Sequence, residues 1–301
     1  MENIDLGDYK VTSEVHVFSD CEPLKGEEES VVISNFNFTL PDKIKVSGSE
    51  KSQACSTIEK DEDGDPIISR KNEREDYSLA IKHHVNTSLD LVGLQVWRGA
   101  LLLADFLLHA ATDDKPGFKI SEDDVLIELG AGTGLTSVVA GMVAKEVCST
   151  DISKGNILSL IETNIKQNAH FLKDHKVEVE ELDFYNQNYG ENLVDKLERA
   201  SIIIAADVVY HDDLTDAFLH TLKRIMSIGR QKTAFISLEK RFVFTVCDLD
   251  VCAPCYDYFY ETLFKELNSF DIQELDTSKI PQYFCYERAK ELVLIQVQTR
   301  T

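Results

Sequence analysis

Strand-like and helix-like segments alternate along most of the chain, and this alternation constrains the fold more than any other feature. Short apolar runs predict five strands at Val125–Leu129, Val147–Asp151, Val177–Leu182, Ser201–Asp207 and Thr233–Glu239. Segments with apolar residues at helical spacing lie among them, at Leu135–Ala144, Lys154–Asn168, Asp213–Ile228 and Tyr256–Ser269. Such alternation predicts an α/β fold in which the strands run parallel and helices cover both faces of the sheet.

The last two predicted strands, Asp271–Leu275 and Glu291–Gln298, have no predicted helix between them. A connection of that kind requires an antiparallel hairpin rather than a right-handed crossover. The sheet should therefore contain seven strands, five of them parallel, followed by a C-terminal antiparallel hairpin. Sheets of the dehydrogenase type are usually fully parallel, so this ending argues against that class.

Residues 1–75 differ in composition from the rest of the chain. They carry acidic runs at residues 27–29 and 61–65, with short strand-like pieces at Val31–Ile33 and Phe36–Leu40 that could form a hairpin. We predict an acidic, partly disordered N-terminal extension over residues 1–75 and one α/β domain over residues 76–301. The net charge of −22 disfavours direct nucleic-acid binding and favours basic partners, although a solvated acidic surface explains it equally well.

The first residues have neither a basic start nor an apolar run, and no stretch approaches 18 uninterrupted apolar residues. We therefore expect neither a signal peptide nor a membrane partner. Seven cysteines without a paired spacing indicate free thiols in a reducing compartment, the nucleus and/or the cytoplasm. The C-x-x-C pair of Cys252 and Cys255 has no histidine at ligand spacing, so no metal site is predicted.

A glycine-rich turn after the first predicted parallel strand carries the strongest local signal for a ligand. Residues 125–135 have the sequence VLIELGAGTGL, in which Glu128, Gly130, Gly132 and Gly134 are evenly spaced. Glycine allows close approach of a ligand to the backbone, and the following helix offers free N–H groups. A dinucleotide site would require a third glycine where Leu135 stands. The pattern favours S-adenosylmethionine over NAD, with a turn that binds nothing as a further alternative.

Carboxylates follow the next two strands at positions suited to a nucleoside. Asp151 ends the second strand and can accept hydrogen bonds from both ribose hydroxyls, or else cap the next helix. Asp183 and Phe184 follow the third strand, where the carboxylate can accept the adenine amino group while the ring packs on the base. We predict that these residues bind the cofactor.

Asp207 and Tyr210 follow the fourth predicted parallel strand, where ligands of open α/β sheets bind. A carboxylate there can bind an incoming ammonium group, and the tyrosine can offer a π-face or a hydroxyl. The alternative is that Asp207 caps the following helix. We predict Asp207 and Tyr210 as the catalytic pair.

With these residues placed, the chain resembles family 16 of the non-histone protein-lysine methyltransferases, over about residues 77–298. The resemblance depends on residues 96–100 (VWRGA), 128–134 (ELGAGTG), 150–151 (TD), 182–184 (LDF), 206–210 (ADVVY) and 238–241 (LEKR). It implies a Rossmann-like seven-stranded methyltransferase sheet and S-adenosylmethionine as cofactor. Many relatives have Pro in place of Arg98 and Trp in place of Phe184.

The resemblance also implies a set of site residues and an activity. The cofactor site would consist of Trp97, Glu128, Gly130, Ala131, Gly132, Asp151, Asp183, Phe184 and Ala206. Asp207 and Tyr210 would shape a lysine site, and the partner would be a protein with an accessible lysine, in a basic segment. Two alternatives stay open: a small-molecule or nucleic-acid methyltransferase on the same fold, and a catalytically silent scaffold.

Overall fold

A seven-stranded β-sheet organises the computed structural model, which describes residues 10–15, 30–44, 76–112, 118–245 and 250–300. The strands in chain order are β1 (Lys10–Val11), β2 (Val31–Thr39), β3 (Asp76–His84), β4 (Thr87–Ser88), β5 (Val125–Leu129), β6 (Glu146–Asp151), β7 (Lys176–Glu181), β8 (Ile202–Ala206), β9 (Thr233–Glu239), β10 (Val243–Thr245), β11 (Asp250–Cys252), β12 (Phe270–Leu275) and β13 (Leu292–Thr299). The α-helices are α1 (Arg98–Ala110), α2 (Leu135–Val143), α3 (Ile157–Gln167), α4 (Glu191–Arg199), α5 (Asp212–Met226) and α6 (Pro254–Glu266). Short 3₁₀ helices cover Leu89–Leu94, Ala169–Phe171 and Thr277–Lys279.

The central sheet has the strand order β12-β13-β9-β8-β5-β6-β7. Strands β5 to β9 are parallel, and β13 lies antiparallel between β9 and β12. This confirms the predicted Rossmann-like sheet of five parallel strands with a C-terminal antiparallel hairpin. The strand order reverses between β5 and β8, so a ligand crevice is expected at the carboxyl ends of these two strands.

The sheet is covered on both faces because its central strands are apolar on both sides. Every residue of β5 is buried. One buried cluster packs α1 and α2 against the sheet, and a second packs α4, α5 and α6 against the opposite face. A continuous apolar strand is typical of this double coverage. The two layers fix the loops at the carboxyl ends of the strands, where the candidate site lies.

The span Leu89–Ala110, which ends in α1, is long and apolar enough to cross a membrane by composition. However, the apolar 18-residue stretch within this span is 72% buried inside the protein. The core helix of a folded domain has the same composition, and α1 contacts β9, β13 and α2.

Strand β2 connects the predicted N-terminal extension to the core. It pairs antiparallel with β3 along its whole length, from Val31 opposite His84 to Thr39 opposite Asp76. The buried ring of Phe38 stacks on Phe284 with a centroid distance of 4.8 Å. The boundary predicted at residue 75 therefore separates two strands of one hairpin. The two strand-like pieces form a single strand rather than a hairpin of their own, and the buried Phe36 and Phe38 alternate with exposed residues at its end. The remaining predictions for residues 1–75 lie outside the residues that the structure describes.

Candidate active site

A cavity with about 1110 Å³ of empty space, part of it open to solvent, lies at the carboxyl ends of the parallel strands. Its lining is mostly apolar with a few carboxyl groups, which is typical of a small-molecule site. All eleven predicted site residues line this one cavity: Trp97, Glu128, Gly130, Ala131, Gly132, Asp151, Asp183, Phe184, Ala206, Asp207 and Tyr210. The fold thus brings together residues that lie more than one hundred positions apart in the sequence.

The glycine turn forms the floor of the cavity and needs glycine for two reasons. Gly130 and Gly132 have φ values of +67° and +56°, in the left-handed region. A Cβ atom on Gly132 would also lie 2.7 Å from the carbonyl oxygen of Gly93. The turn therefore holds its backbone against the Leu89–Leu94 segment, and helix α2 begins directly after it, at Leu135.

Asp151 stands beside the glycine turn and accepts two backbone hydrogen bonds. The Gly132 N–H donates to Oδ2 and the Ile152 N–H to Oδ1, each at 2.7 Å. The cap of α3 is Asn156, so the structure does not support the helix-cap alternative for Asp151. Burial raises the pKa of Asp151 to about 6, although both N–H donors oppose the rise. Each oxygen keeps a second lone pair for a ligand hydroxyl.

Glu128 is a fully buried carboxyl group at the base of the cavity. Its oxygen Oε2 accepts a hydrogen bond from the hydroxyl of Ser137 on α2. Burial raises the pKa of Glu128 to about 8, with a further contribution from the charge of Asp151. At neutral pH the group is largely protonated, and a cation bound nearby would favour its ionised form.

Asp183 and Phe184 form the wall opposite the Trp97 loop. The Tyr185 N–H donates to Asp183 Oδ1 at 2.9 Å, which fixes the carboxylate at the cavity edge. Phe184 packs on Phe218 with a centroid distance of 5.4 Å, and its ring tip lies 3.7 Å from where a Gly130 Cβ would stand. The ring therefore lies next to the glycine turn, as a base-stacking residue should.

Trp97 directly precedes α1 and lines the cavity. It is only 8% exposed, and its indole N–H donates to the Val92 carbonyl at 2.9 Å. The guanidinium carbon of Arg241 lies 4.2 Å from the ring centre, in a cation–π contact. The face of the tryptophan already contacts a cation at this position.

Asp207 connects three elements through its carboxylate. The Gly99 N–H, in the first turn of α1, donates to Oδ2 at 2.6 Å, and the Glu239 N–H at the end of β9 donates to Oδ1 at 3.0 Å. Residue 207 has a φ of +51°, which aspartate tolerates better than most residues. The cap of α5 is His211, so Asp207 caps α1 rather than the helix that follows it. The alternative that Asp207 caps the helix following it, α5, was therefore wrong.

The ionisation of Asp207 and Tyr210 differs because their neighbours differ. Burial raises the pKa of Asp207, while the charge of Arg241 and the two backbone N–H groups lower it. Burial also raises the pKa of Tyr210 to about 12, and the charge of Asp151 adds to the rise. Tyr210 thus remains a phenol at neutral pH and lies on the Asp151 side of the cavity. Asp207 lies on the Arg241 side.

Several lining residues escaped the sequence reasoning. Asp90, Gly93 and Gln95 lie in or next to the 3₁₀ segment before Trp97, and Tyr185 and Leu214 extend the wall on the other side. Gln95 is a buried polar residue whose amide bonds to Val11, Ser13 and Thr87. A polar residue between apolar ones just before Trp97 was the available signal, but its partners lie up to 84 positions away.

Comparison with known proteins agrees with this geometry. Residues 73–246 match the lysine methyltransferase family. Methyltransferase-like protein 22 of Mus musculus is 35% identical over 239 residues, which cover 73% of this chain and 58% of the relative. The Homo sapiens protein of the same name is also 35% identical over 239 residues, covering 73% of this chain and 57% of the relative. Protein N-lysine methyltransferase METTL21A of Danio rerio is 31% identical over 173 residues, or 56% of this chain and 72% of the relative.

The matched region accounts for a little over half of the first two relatives, so this chain spans 58% and 57% of their lengths. The family match starts just before β3 and extends past β9. It includes every residue assigned above to the cavity wall. By this match, the chain belongs to the lysine methyltransferase family.

Proposed function

We propose that the protein transfers a methyl group from S-adenosylmethionine to a lysine side chain of a non-histone protein. The observation that carries the proposal is the single cavity that joins the glycine turn and Asp151 to Asp207. A nucleoside-binding wall and a cation-binding wall then face the same space. A methyltransferase with an ammonium-bearing acceptor requires this combination.

The cofactor side fits S-adenosylmethionine, which supplies a methyl group on a positively charged sulfur. Asp151 retains acceptor capacity for two ribose hydroxyls, because each of its oxygens is used by only one backbone N–H. Asp183 Oδ2 has no partner among the described residues and can accept the adenine amino group. The buried carboxyl of Glu128 gains its charge most easily when a cation occupies the cavity.

On the acceptor side, Asp207 aligns the amine. A lysine nitrogen has an ordinary pKa near 10.4 and must lose its proton before it can accept a methyl group. Burial next to a second positive charge lowers that pKa, while the Asp207 carboxylate opposes part of the shift. Asp207 therefore acts mainly by binding and orienting the amine, and Tyr210 remains protonated as a hydrogen-bond donor.

The net charge of −22 supports a basic protein segment as partner and disfavours direct binding of nucleic acid. We also propose that no membrane takes part, since the apolar span ending in α1 is mostly buried. Cys148, Cys255 and Cys285 are free thiols, which supports an intracellular location in the nucleus and/or cytoplasm.

Transfer of tritium from labelled cofactor into a cell extract tests the proposal. We expect label that protease releases and nuclease does not. Nuclease-sensitive label would favour a nucleic-acid methyltransferase, and label in the small-molecule fraction would favour a metabolite acceptor. No transfer, with S-adenosylhomocysteine still bound, would favour a silent scaffold.

A further inference from the structure

The short segment from Lys10 to Val15 is fastened to the loop that carries Trp97, although it lies outside the family match at residues 73–246. Strand β1 pairs antiparallel with β4. Ser13 is fully buried: its N–H donates to Gln95 Oε1 at 2.7 Å and its hydroxyl to the Val96 carbonyl at 2.6 Å. These bonds place Glu14 beside the start of α1, next to the wall of the cavity formed by Trp97 and Asp207.

Two carboxylate oxygens near this wall are buried without a partner. Within the described residues, neither Glu14 Oε2 nor Glu239 Oε2 has a hydrogen-bond partner. The Glu239 side chain is only 9% exposed, and its other oxygen accepts a 2.8 Å bond from Arg98. Buried carboxylate oxygens are normally satisfied, so each of these orphan acceptors indicates a missing donor.

Glu14, Asp207 and Glu239 form one acidic cluster. The Glu239 N–H donates to Asp207 Oδ1, while Glu14 and Arg98 line a second cavity next to the first turn of α1. Burial raises the pKa of Asp207 and of Glu239, and the charge of Glu14 adds to both increases. The three carboxylates are thus close enough to repel one another.

The charges around this cluster sum to a net negative charge, which one more cation would neutralise. Arg98 pairs with Glu239, and Arg241 lies over Trp97 and acts on Asp207. Three carboxylates and two guanidinium groups give a formal charge of −1 when all are ionised. Glu287 also contacts Arg98 at 3.3 Å, but its side chain is 81% exposed and its charge is screened by solvent.

We propose that Glu14 is a positioning residue of the acceptor site and that, together with Asp207 and Glu239, it holds the ammonium group of the incoming lysine. The inference rests on the proposed function. It assigns a role in acceptor recognition to a segment that the family match does not include. An ammonium group would supply three donors to the orphan oxygens and bring the cluster to neutrality.

A pair of cofactor analogues tests the placement of Glu14 without knowledge of the substrate. S-adenosylhomocysteine lacks the transferable methyl group, and sinefungin carries a primary amine in its place. In the Glu14→Gln variant, sinefungin should bind at least about tenfold more weakly, as expected for the loss of one hydrogen bond between charged groups. Affinity for S-adenosylhomocysteine should stay within about twofold of the wild-type value. Calorimetry on the full chain measures both ligands.

Two further variants make the result specific. Glu122→Gln removes an exposed carboxylate before the amino end of β5, at the opposite edge of the sheet, and should change neither affinity. Glu14→Asp retains the charge and should recover most of the sinefungin affinity. Unchanged affinities for both ligands in Glu14→Gln would overturn the proposal. Equal weakening of both ligands would also overturn it, because it would mean that the segment only supports the Trp97 loop.

Methyl transfer to extract proteins completes the test. At low extract concentration we expect the initial rate of Glu14→Gln to fall about tenfold, in step with its sinefungin affinity. A normal initial rate would overturn the role of Glu14 in acceptor binding. If the wild-type protein labels no protein at all, the proposed function fails, whereas the ratio of analogue affinities still decides where Glu14 acts.

Discussion

Replacement of Asp207 by asparagine should affect both stability and turnover, because this carboxylate holds two backbone N–H groups as well as facing the cavity. Asparagine tolerates the left-handed backbone at this position, so the change adds no strain. Its side chain has one carbonyl oxygen, however, and can accept from only one of Gly99 and Glu239. The other N–H faces the amide NH₂ group and loses its acceptor.

The expected size follows from these two bonds. A hydrogen bond to a charged group contributes about 1.5–3 kcal/mol, and a buried donor left unpaired costs about 1–3 kcal/mol. We therefore expect Asp207→Asn to lower the free energy of unfolding by about 2–4 kcal/mol. Turnover should fall by at least about tenfold, since the amide offers no negative charge to an ammonium group. Affinity for S-adenosylhomocysteine should change little, because Asp207 lies on the acceptor side.

Urea unfolding, calorimetry with S-adenosylhomocysteine and transfer to extract proteins should be measured on the same preparation. Asp213→Asn is the matched control: it is an exposed aspartate in the first turn of α5 and should stay within about 0.5 kcal/mol of the wild type. If Asp207→Asn loses turnover at unchanged stability, the two backbone bonds do not contribute in solution. If it loses neither, Asp207 has no place in the site.

Three further predictions concern other parts of the cavity and its support. Gly99→Ala would place a Cβ atom 2.4 Å from Asp207 Oδ2, so the rate of methyl transfer should fall more than the cofactor affinity. Rate measurements and calorimetry on the same variant would show the difference. Equal losses of rate and affinity would contradict the prediction. Asp151 must be ionised to accept ribose hydroxyls, and burial raises its pKa to about 6. Affinity for S-adenosylhomocysteine should therefore be full above pH 6 and fall by about tenfold per pH unit below it. Asp151→Asn should abolish this pH dependence, and a persisting dependence would assign the titration to another group. Deletion of residues 1–60 removes β2 with the buried rings of Phe36 and Phe38, and burial of each ring contributes about 1.5–3 kcal/mol to stability. The truncated chain should therefore unfold at a lower urea concentration. An unchanged midpoint of urea unfolding would show that β2 is dispensable for stability.

The parts of the fold that sequence reasoning identified are those whose signals are local. Strand β5 is a run of apolar residues followed at once by the glycine turn, and both the period and the turn chemistry lie within eleven positions. The C-terminal hairpin followed from the lack of a helix between β12 and β13. All the predicted site residues except Trp97 lie near or just after the carboxyl end of a strand of the same parallel sheet, and these strand ends lie together, so the residues share one cavity.

The parts that were missed depend on distant partners or weak periodicity. Helix α4 has only Leu193, Lys196 and Leu197 buried among charged neighbours, so its apolar face is narrow. Strand β2 pairs with residues 37 to 53 positions further along the chain, and its sequence lies between acidic runs. This composition predicts a partly disordered extension over residues 1–75, whereas β2 pairs with β3, so we expect a loss of stability when residues 1–60 are removed.

The role of Asp207 shows the same limit at the level of one residue. Its position after a strand was enough to predict that it lines the ligand cavity. Its partners at residues 99 and 239 are 108 and 32 positions away, and no sequence pattern indicates which helix it caps. The orphan oxygen of Glu14 is likewise visible only when the segment around Ser13 is packed against the Trp97 loop.

The central claim is that this cavity methylates lysine, and the chemical identity of the methylated residue tests it most directly. Extract proteins would be incubated with the protein and S-adenosylmethionine carrying a deuterated methyl group, then digested and analysed by mass spectrometry. We expect deuterated methyl groups on lysine side chains with the wild-type protein, and about tenfold fewer or none with Asp207→Asn. Labelled methyl groups on another residue type, or equal lysine labelling by both proteins, would contradict it.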